Sequence, residues 1–518
     1  MQVDTKILKL SWSRLKQDCK YRGFIKNPLE LKIVCKDYEI WIAEIKRKLK
    51  KNIYVPGTNR IIDVPKQNGA IRPGSFLRLS DLMIYNYLVG KYLKNIKKSL
   101  SWSSGSVVFS HLIATTNSAK WLYNPFNSWS SFRNESIKIL SEGYSYVLFT
   151  DITAFYENIN IKILISDLLD LGCSGHEKNL LSQCLNKWSS YGIGIPQGFA
   201  SSDILSNVYL DDIDRKFTDL GYKFVRYGDD YRVFCKDKTE TKKAQQDLIK
   251  LLRLRGLNLQ NEKTKINRSK ESIVEIEGES QIIKSVKEQL AFSNVEETYS
   301  NDYFVGDVFD SKNYDELNGA AFVRDIFDAY FIDNSTNFDK TLFRFCLQLF
   351  ARAKDDHALS TCLSFLKIYP EQTEYILKYL TSIKLDENHF DHILKYFSSK
   401  DAIYNYQKYQ IVDWINNNFD LNIKQFFLKE VKKIISDSNA PCYLRTVSRL
   451  LVSEIGHSSD LDTLCNLFSD DMPVLEKCEL ILCLSRMEKT KRNSFLGNVK
   501  NDSFLISASI KMAKNIDN

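Results

Sequence analysis

The sequence predicts an α+β half followed by an all-α half, and three observations carry this. Up to about residue 270, short apolar runs of strand type alternate with helical stretches and turn signals. Beyond about residue 316, helical segments of roughly 11 to 17 residues succeed one another with no strand signal between them. Between the two, the text turns glutamate-rich and irregular, starting with ESIVEIEGES, as a connecting segment does. A chain of 518 residues is also too long for one ordinary core. The expected division is 1–270, a 271–315 transition and 316–518.

With 44% hydrophobic and 26% charged residues the chain has the composition of a folded protein, which excludes disordered and fibrous classes. No run approaches the roughly 18 apolar residues of a membrane helix, and the opening MQVDTKILKLSW lacks a signal-peptide core. No membrane partner and a cytoplasmic location are therefore expected. Eleven cysteines without a Cys-x-x-Cys pair argue against a disulfide framework or a structural zinc site. The net charge of +8 is unevenly spread: residues 1–100 hold 22 Lys/Arg against 8 Asp/Glu, and the rest hold 50 against 56. A basic N-terminus attracts a polyanion or a triphosphate. Basic helices such as IKRKLKK and KNIKK fit plain solvation equally well.

Residues 1 to about 100 read as helical, broken by Val55-Pro56-Gly57 and by Lys66-Gln67-Asn68-Gly69. Asn-Gly between IIDVPK and AIRPG is the signature of a hairpin turn. The Ser/Asn/Trp-rich stretch 101–135 reads as irregular. Residues 144–149 make a compact apolar run suited to a buried strand. Helical stretches near 161–171 and 177–189 precede the turn-rich Ile193-Gly194-Ile195-Pro196-Gln197-Gly198. The next helix carries Leu205, Val208, Tyr209, Ile213 and Phe217 on one face. FVRY and YRVF read as strands joined at Gly228-Asp229-Asp230, followed by a helix near 240–256 and a short strand over 257–259. The segments past 316, typified by LFRFCLQLFARA and LEKCELILCLSRM, show no clean repeat period. A solenoid-like stack and an irregular bundle both satisfy them.

The chemistry-bearing residues fall at the ends of these strands. Joining nucleotides needs a nucleophilic oxygen, an α-phosphate and a pyrophosphate leaving group, and two Mg²⁺ ions about 3.5–4 Å apart clamp both ends of that displacement. Mg²⁺ takes hard oxygen ligands, and crowded carboxylates are stable mainly with a cation among them. Asp151 ends the 144–150 run, and Asp229 and Asp230 lie at a hairpin turn. If the two elements are neighbours in one antiparallel sheet, the three carboxylates meet at one edge. Gly-Asp-Asp alone is also an ordinary exposed turn.

Further residues fit the same task. Phe155 and Tyr156 follow the first Asp, where a ring excludes a 2′-hydroxyl; Phe155 is the expected gate, although both also suit a core. Gln197 and Gly198 lie in a loop whose backbone can approach a base pair or sugar. Asn207 on the next helix suits a hydrogen bond within the site, and equally a plain helix-surface position. Lys263, after GLNLQNE, suits a general acid for the departing pyrophosphate. Lys66 and Arg72 flank the proposed hairpin turn and suit a triphosphate grip, the one a point charge and the other a fork. Singly, each cation fits an ordinary surface residue.

In combination these blocks resemble reverse transcriptases over about residues 60–267. VPKQNGAIRPG is similar to the fingers segment, FTDITAFYENIN to motif A, GIPQGFASSDILSNVYLDDID to motif B, RYGDD to motif C and GLNLQNEKTK to motif D. Viral RNA-dependent RNA polymerases usually carry a second Asp five residues after the first, where Tyr156 stands here. The signatures of retron enzymes and the thumb and maturase continuation of group II intron enzymes do not follow. A palm and fingers of the right-hand polymerase type followed by a solenoid-like, HEAT-like helical half resembles the abortive-infection reverse transcriptases of bacterial and prophage antiviral defence. Motif B departs from its relatives in having Ser202-Asp203 where Ser-Pro is common, so its template-strand contacts cannot be carried over.

The resemblance implies a metal set of Asp151, Ile152, Asp229 and Asp230 holding two Mg²⁺, with Mn²⁺ as a substitute. It also implies dNTPs as substrates, template-independent synthesis of single-stranded DNA primed from a protein hydroxyl, commonly a tyrosine, and a homo-oligomer in the bacterial cytoplasm. The 27 tyrosines leave the primer unassigned, Tyr54 in the basic region included. A template-directed reverse transcriptase with an associated RNA, and an inactive scaffold, are the alternatives.

Overall fold

The computed structural model describes residues 2–277, 318–333 and 338–514. Most of the expected 271–315 connection lies outside those residues. The first half opens with the helix Thr5–Gln17, capped by Asp4, whose carboxylate accepts from the Lys6 and Ile7 amides. The expected Asn-Gly hairpin is present as β1 (Arg60–Pro65) and β2 (Ile71–Phe76), paired antiparallel with Val64 opposite Arg72. Gly69 takes a left-handed φ of 75° to close the turn. The long helix Leu79–Ser99 follows, with its Leu82–Val89 stretch buried.

The central sheet has β3 (Tyr146–Thr150), β4 (Lys223–Tyr227), β5 (Asp230–Cys235) and β6 (Lys265–Arg268), in the order β4-β5-β3-β6. Every pairing is antiparallel. Alternation along β3 and β5 sends Leu148 and Val233 into the main core, while Val147 and Phe234 enter a second cluster against Pro125–Ser141. The helix Ala200–Asp219 packs across the sheet with Leu205, Val208, Tyr209, Ile213 and Phe217 all buried, as its periodicity requires.

Two sequence expectations change here. The stretch read as irregular over 101–135 contains the start of a helix, Pro125–Ser141, capped by Asn124 with Pro125 in its first turn. Its apolar residues are sparse among serines, so periodicity alone did not expose it. Residues 257–259 form no strand; Leu259 makes only an isolated bridge to Ile152. The sheet's last strand is instead the polar KINR segment, an edge strand needing little apolar content.

Among the described residues the second half is helical. Lys340–Ala353, Thr373–Ser382, Asn405–Asn418, Cys442–Ile455, Val474–Cys483 and Phe504–Lys514 form a row in which each helix packs on the next. Leu359–Ile368, Glu387–Phe397 and Leu421–Ser436 form a second row. The amphipathic segments thereby bury their apolar stripes on neighbours two elements along. The first row also reaches the N-terminal half: Asn405–Asn418 packs on β1, and Phe504–Lys514 on the helix Leu29–Lys36. No helix among the described residues is long and apolar enough to cross a membrane.

Candidate active site at the end of the central strands

Asp151 leaves β3 directly after Thr150, whose partner across the ladder is Tyr231. One register position further on, Asp151 therefore faces Asp230 at the start of β5. The chain turns at Gly228-Asp229, and Tyr227 pairs with Asp230 to close the hairpin. Gly228 has a φ of 66°, a conformation open to glycine and costly for most other residues. The Ile152 amide donates to the Asp229 carbonyl at 3.2 Å, tying the two elements together beside the carboxylates. On the other flank the Gln260 amide donates to the Asp151 carbonyl at 2.7 Å, and Thr153 N donates to the Asn258 carbonyl at 2.9 Å. That alignment delivers Lys263, in the turn Asn261–Lys263, to the Asp151 carboxylate as an ion pair.

The electrostatics are those of like charges held together. Burial, then the charges of Asp151 and Asp230, hold the Asp229 carboxyl well above the usual carboxylate range. Burial and Asp151 push Asp230 up to about 6, against the pull of Lys263, Arg232 and Lys340. Burial acts to lower Lys263, but its hydrogen bond to Asp151 and the surrounding carboxylates outweigh this and raise it. The lysine therefore stays an ammonium at neutral pH. Its side chain is 65% exposed, so it can swing away from Asp151 at little cost. Among the described residues no three His, Cys, Asp or Glu side chains are grouped so as to hold a metal ion as they stand. The donor set nevertheless suits divalent cations: hard carboxylate oxygens in excess of the local positive charge, with one lysine offsetting Asp151.

Beneath the turn lies a buried network. Arg226 grips Asp214 through Nε and Nη2, the latter at 2.6 Å from Oδ2, and both side chains are buried. Its Nη1 donates to the Gly228 carbonyl at 2.8 Å and to Asn207 Oδ1 at 3.0 Å. Tyr231 adds its hydroxyl to Asp214 at 2.9 Å. Asn207 Nδ2 donates to the Ser110 carbonyl at 2.9 Å, and the Gly228 amide donates to Ser110 Oγ at 2.5 Å. Asn207, only 3% exposed, thus sits under the Gly228-Asp229 turn.

The other expected residues are placed as follows. Lys66 and Arg72 lie on either side of the β1–β2 turn, with the Lys66 amide donating to the Ala70 carbonyl at 2.7 Å. The hairpin is stitched to the Pro-Gln-Gly loop: Gln197 N donates to Ser75 Oγ at 3.0 Å, and Ser75 N to the Gln197 carbonyl at 3.2 Å. Phe155 is 3% exposed and belongs to the main core, whereas Tyr156 is partly exposed. At Gly198, with φ of 103°, the close approach expected for a base or sugar is made by Phe24; a Cβ there would lie 3.0 Å from its ring. A Cβ on Gly74 would come within 2.6 Å of the same ring. Tyr54 is buried, with its hydroxyl donating to Asp81 at 2.6 Å.

Several residues of the site lay beyond sequence reasoning. Arg226 and Asp214 stand within the blocks already singled out, but a buried ion pair leaves no local pattern. Phe24 and Lys340 come from distant parts of the chain, and only the assembled fold brings them near. Asp203 carried a signal, as the residue that breaks the Ser-Pro pattern.

Residues 64–287 match the family model of the reverse transcriptase (RNA-dependent DNA polymerase). The match supports a reverse-transcriptase assignment for that segment, and with it a nucleotidyltransferase segment of the RNA-directed DNA polymerase-like kind. No curated protein matches the sequence. Solved structures similar to the chain include apo telomerase from Candida tropicalis truncated from its C-terminal domain, at 16% identity and a TM-score of 0.30 over 41% of this chain and 50% of that one. The chain therefore spans half the length of that protein. Telomerase from Candida albicans in complex with a TWJ fragment of telomeric RNA matches at 13% identity and a TM-score of 0.32, over 78% and 68% of the two chains. Apo telomerase from Candida tropicalis matches at 14% identity and 0.31, over 80% and 71%.

Proposed function

We propose that the chain polymerises deoxynucleotides without a template, from a protein hydroxyl, in antiviral defence of the abortive-infection type. The observation that carries the polymerase reading is the meeting of Asp151, Asp229 and Asp230 at one end of an antiparallel sheet, with Lys263 beside them. Asp151, Asp229, Asp230 and the Ile152 carbonyl would hold divalent cations, Mg²⁺ or in its place Mn²⁺. Bound there, such ions supply charge stabilisation for the attacking and leaving oxygens. The chain's own residues do the rest. Lys263, an ammonium at neutral pH, is the proton donor to the leaving pyrophosphate. Lys66 and Arg72 on the hairpin grip the triphosphate, and Gln197, tied to that hairpin through Ser75, lines the nucleotide's path. Asn207 acts by supporting the turn. With Phe155 buried in the core, the ring that meets the sugar is Tyr156.

The template-free part of the reading is supported by Phe24. Its ring lies against both Gly74 of the hairpin and Gly198 of the Pro-Gln-Gly loop. Tyr406 of the helical half backs it, with ring centroids 6.3 Å apart and its hydroxyl donating to the Phe24 carbonyl at 3.0 Å. The glycine faces open to a templating base are thereby covered. The protein-primed and defence roles, and a homo-oligomeric state, come from the resemblance of the motif series and its helical continuation.

Purified protein incubated with Mg²⁺ and labelled deoxynucleotides, without template or primer, tests this on denaturing gels run before and after protease. Long products released only by protease are expected. DNA made only after RNA and a primer are supplied would establish a conventional reverse transcriptase in its place.

A further inference from the structure

We infer that Asp203 is a positioning residue for sugar selection, holding Tyr156 in place through its hydroxyl. This rests on the polymerase reading above and on Tyr156 as the ring facing the sugar.

Asp203 stands in the first turn of Ala200–Asp219, and its side chain is only 1% exposed. A carboxylate so deeply placed needs its oxygens satisfied. Oδ1 accepts the Tyr156 hydroxyl at 2.7 Å. Oδ2 is ion-paired with Arg22 and has His111 Nδ1 at 3.4 Å. Three residues from three separate segments therefore converge on one carboxylate, and its rotation is blocked from each side. A tyrosine ring has two side-chain torsions, so fixing the far hydroxyl fixes the ring plane and the edge presented to a nucleotide.

The cluster also shares a frame with the catalytic turn. His111 adopts a left-handed φ of 53°, a conformation that costs a non-glycine residue energy and persists where its surroundings impose it. Its neighbour Ser110 receives the Gly228 amide on its hydroxyl and Asn207 on its carbonyl. The backbone that carries the Asp203 partner thus also carries the support for Asp229.

The test compares kcat/KM for a deoxynucleotide with that for the matching ribonucleotide, in full-length protein with Mg²⁺. Tyr156→Phe, which deletes one oxygen, and Asp203→Ala are each expected to lower the discrimination about tenfold, the scale of a charge-assisted hydrogen bond. Asp203→Asn, which keeps an acceptor oxygen, lowers it less. The double variant falls no further than either single one, because both remove the same bond. Should Asp203→Ala fail to fold, Tyr156→Phe decides alone. Unchanged discrimination in Tyr156→Phe, with a collapse in Tyr156→Ala, overturns the role of Asp203 and leaves the ring as gate. Unchanged discrimination in Tyr156→Ala removes the gate itself, and the inference with it.

Discussion

Arg226 donates to the carbonyl of Gly228, two residues along its own chain, at 2.8 Å. This bond braces the turn that carries Asp229, and the guanidinium is itself anchored by Asp214. Because the pair is buried, removing one partner leaves an uncompensated charge. Asp214→Ala is expected to cost about 3–5 kcal/mol of stability in denaturant unfolding. A loss under about 1 kcal/mol would mean that water reaches Arg226 and the brace is dispensable.

The three carboxylates should cost stability when no cation is bound. Asp229 has a folded-state pKa raised by burial and by its two neighbours, so the folded chain holds a proton that the unfolded chain has lost. Stability then falls as pH rises from the ordinary carboxylate range toward the raised value. Asp229→Asn removes that cost. Without divalent ions its melting temperature should exceed that of wild type at pH 7 to 8, with the gap closing near pH 4. Added Mg²⁺ should raise the wild-type melting temperature more than the variant's. Identical responses would show that the carboxylates do not share a cation.

Glu30 provides a second pH signature, away from the three carboxylates. It is buried, its Oε2 accepts the Leu79 amide at 2.8 Å, and burial pushes it from 4.5 up to about 7. Between those values the folded chain carries the extra proton, so stability drops as pH rises through the window. Glu30→Gln keeps the acceptor and removes the charge. At pH 8 it should be more stable than wild type by roughly 2–3 kcal/mol, and at pH 4 equal to it. Parallel pH profiles for the two proteins would rule this out.

Phe24 should behave as a wedge between two glycines. Gly74→Ala places a Cβ 2.6 Å from the ring and is expected to cost about 1–3 kcal/mol. In a Phe24→Leu background that cost should shrink by at least ~0.5 kcal/mol, a coupling measurable in a double-mutant cycle. Strict additivity would mean that the ring moves aside freely.

The parts of this molecule legible in its sequence are those written locally. The β1–β2 hairpin follows from Asn-Gly between extended runs, and the strand ending at Asp151 and the Gly-Asp-Asp hairpin follow from apolar runs and a turn. Their meeting at one sheet end needed only that neighbouring antiparallel strands pair. The proposed gate was less legible, because adjacent aromatics at 155 and 156 look alike until the fold buries one of them. Phe24 could not be read at all, since its partner Tyr406 is 382 residues away. The same holds for Lys340, which joins the electrostatics of Asp230 from the helical half. The edge strand β6 escaped because KINR offers a single apolar residue to an apolar-run search.

Incorporation of labelled deoxynucleotides in Mg²⁺ by wild type and Asp229→Asn, with circular dichroism confirming equal folding, bears on the carboxylate cluster without intermediaries. Asp229→Asn should lose at least about 10²–10³-fold in rate, the scale of removing a transition-state charge stabiliser. Incorporation at the wild-type rate by a folded Asp229→Asn protein would place the chemistry elsewhere in the chain.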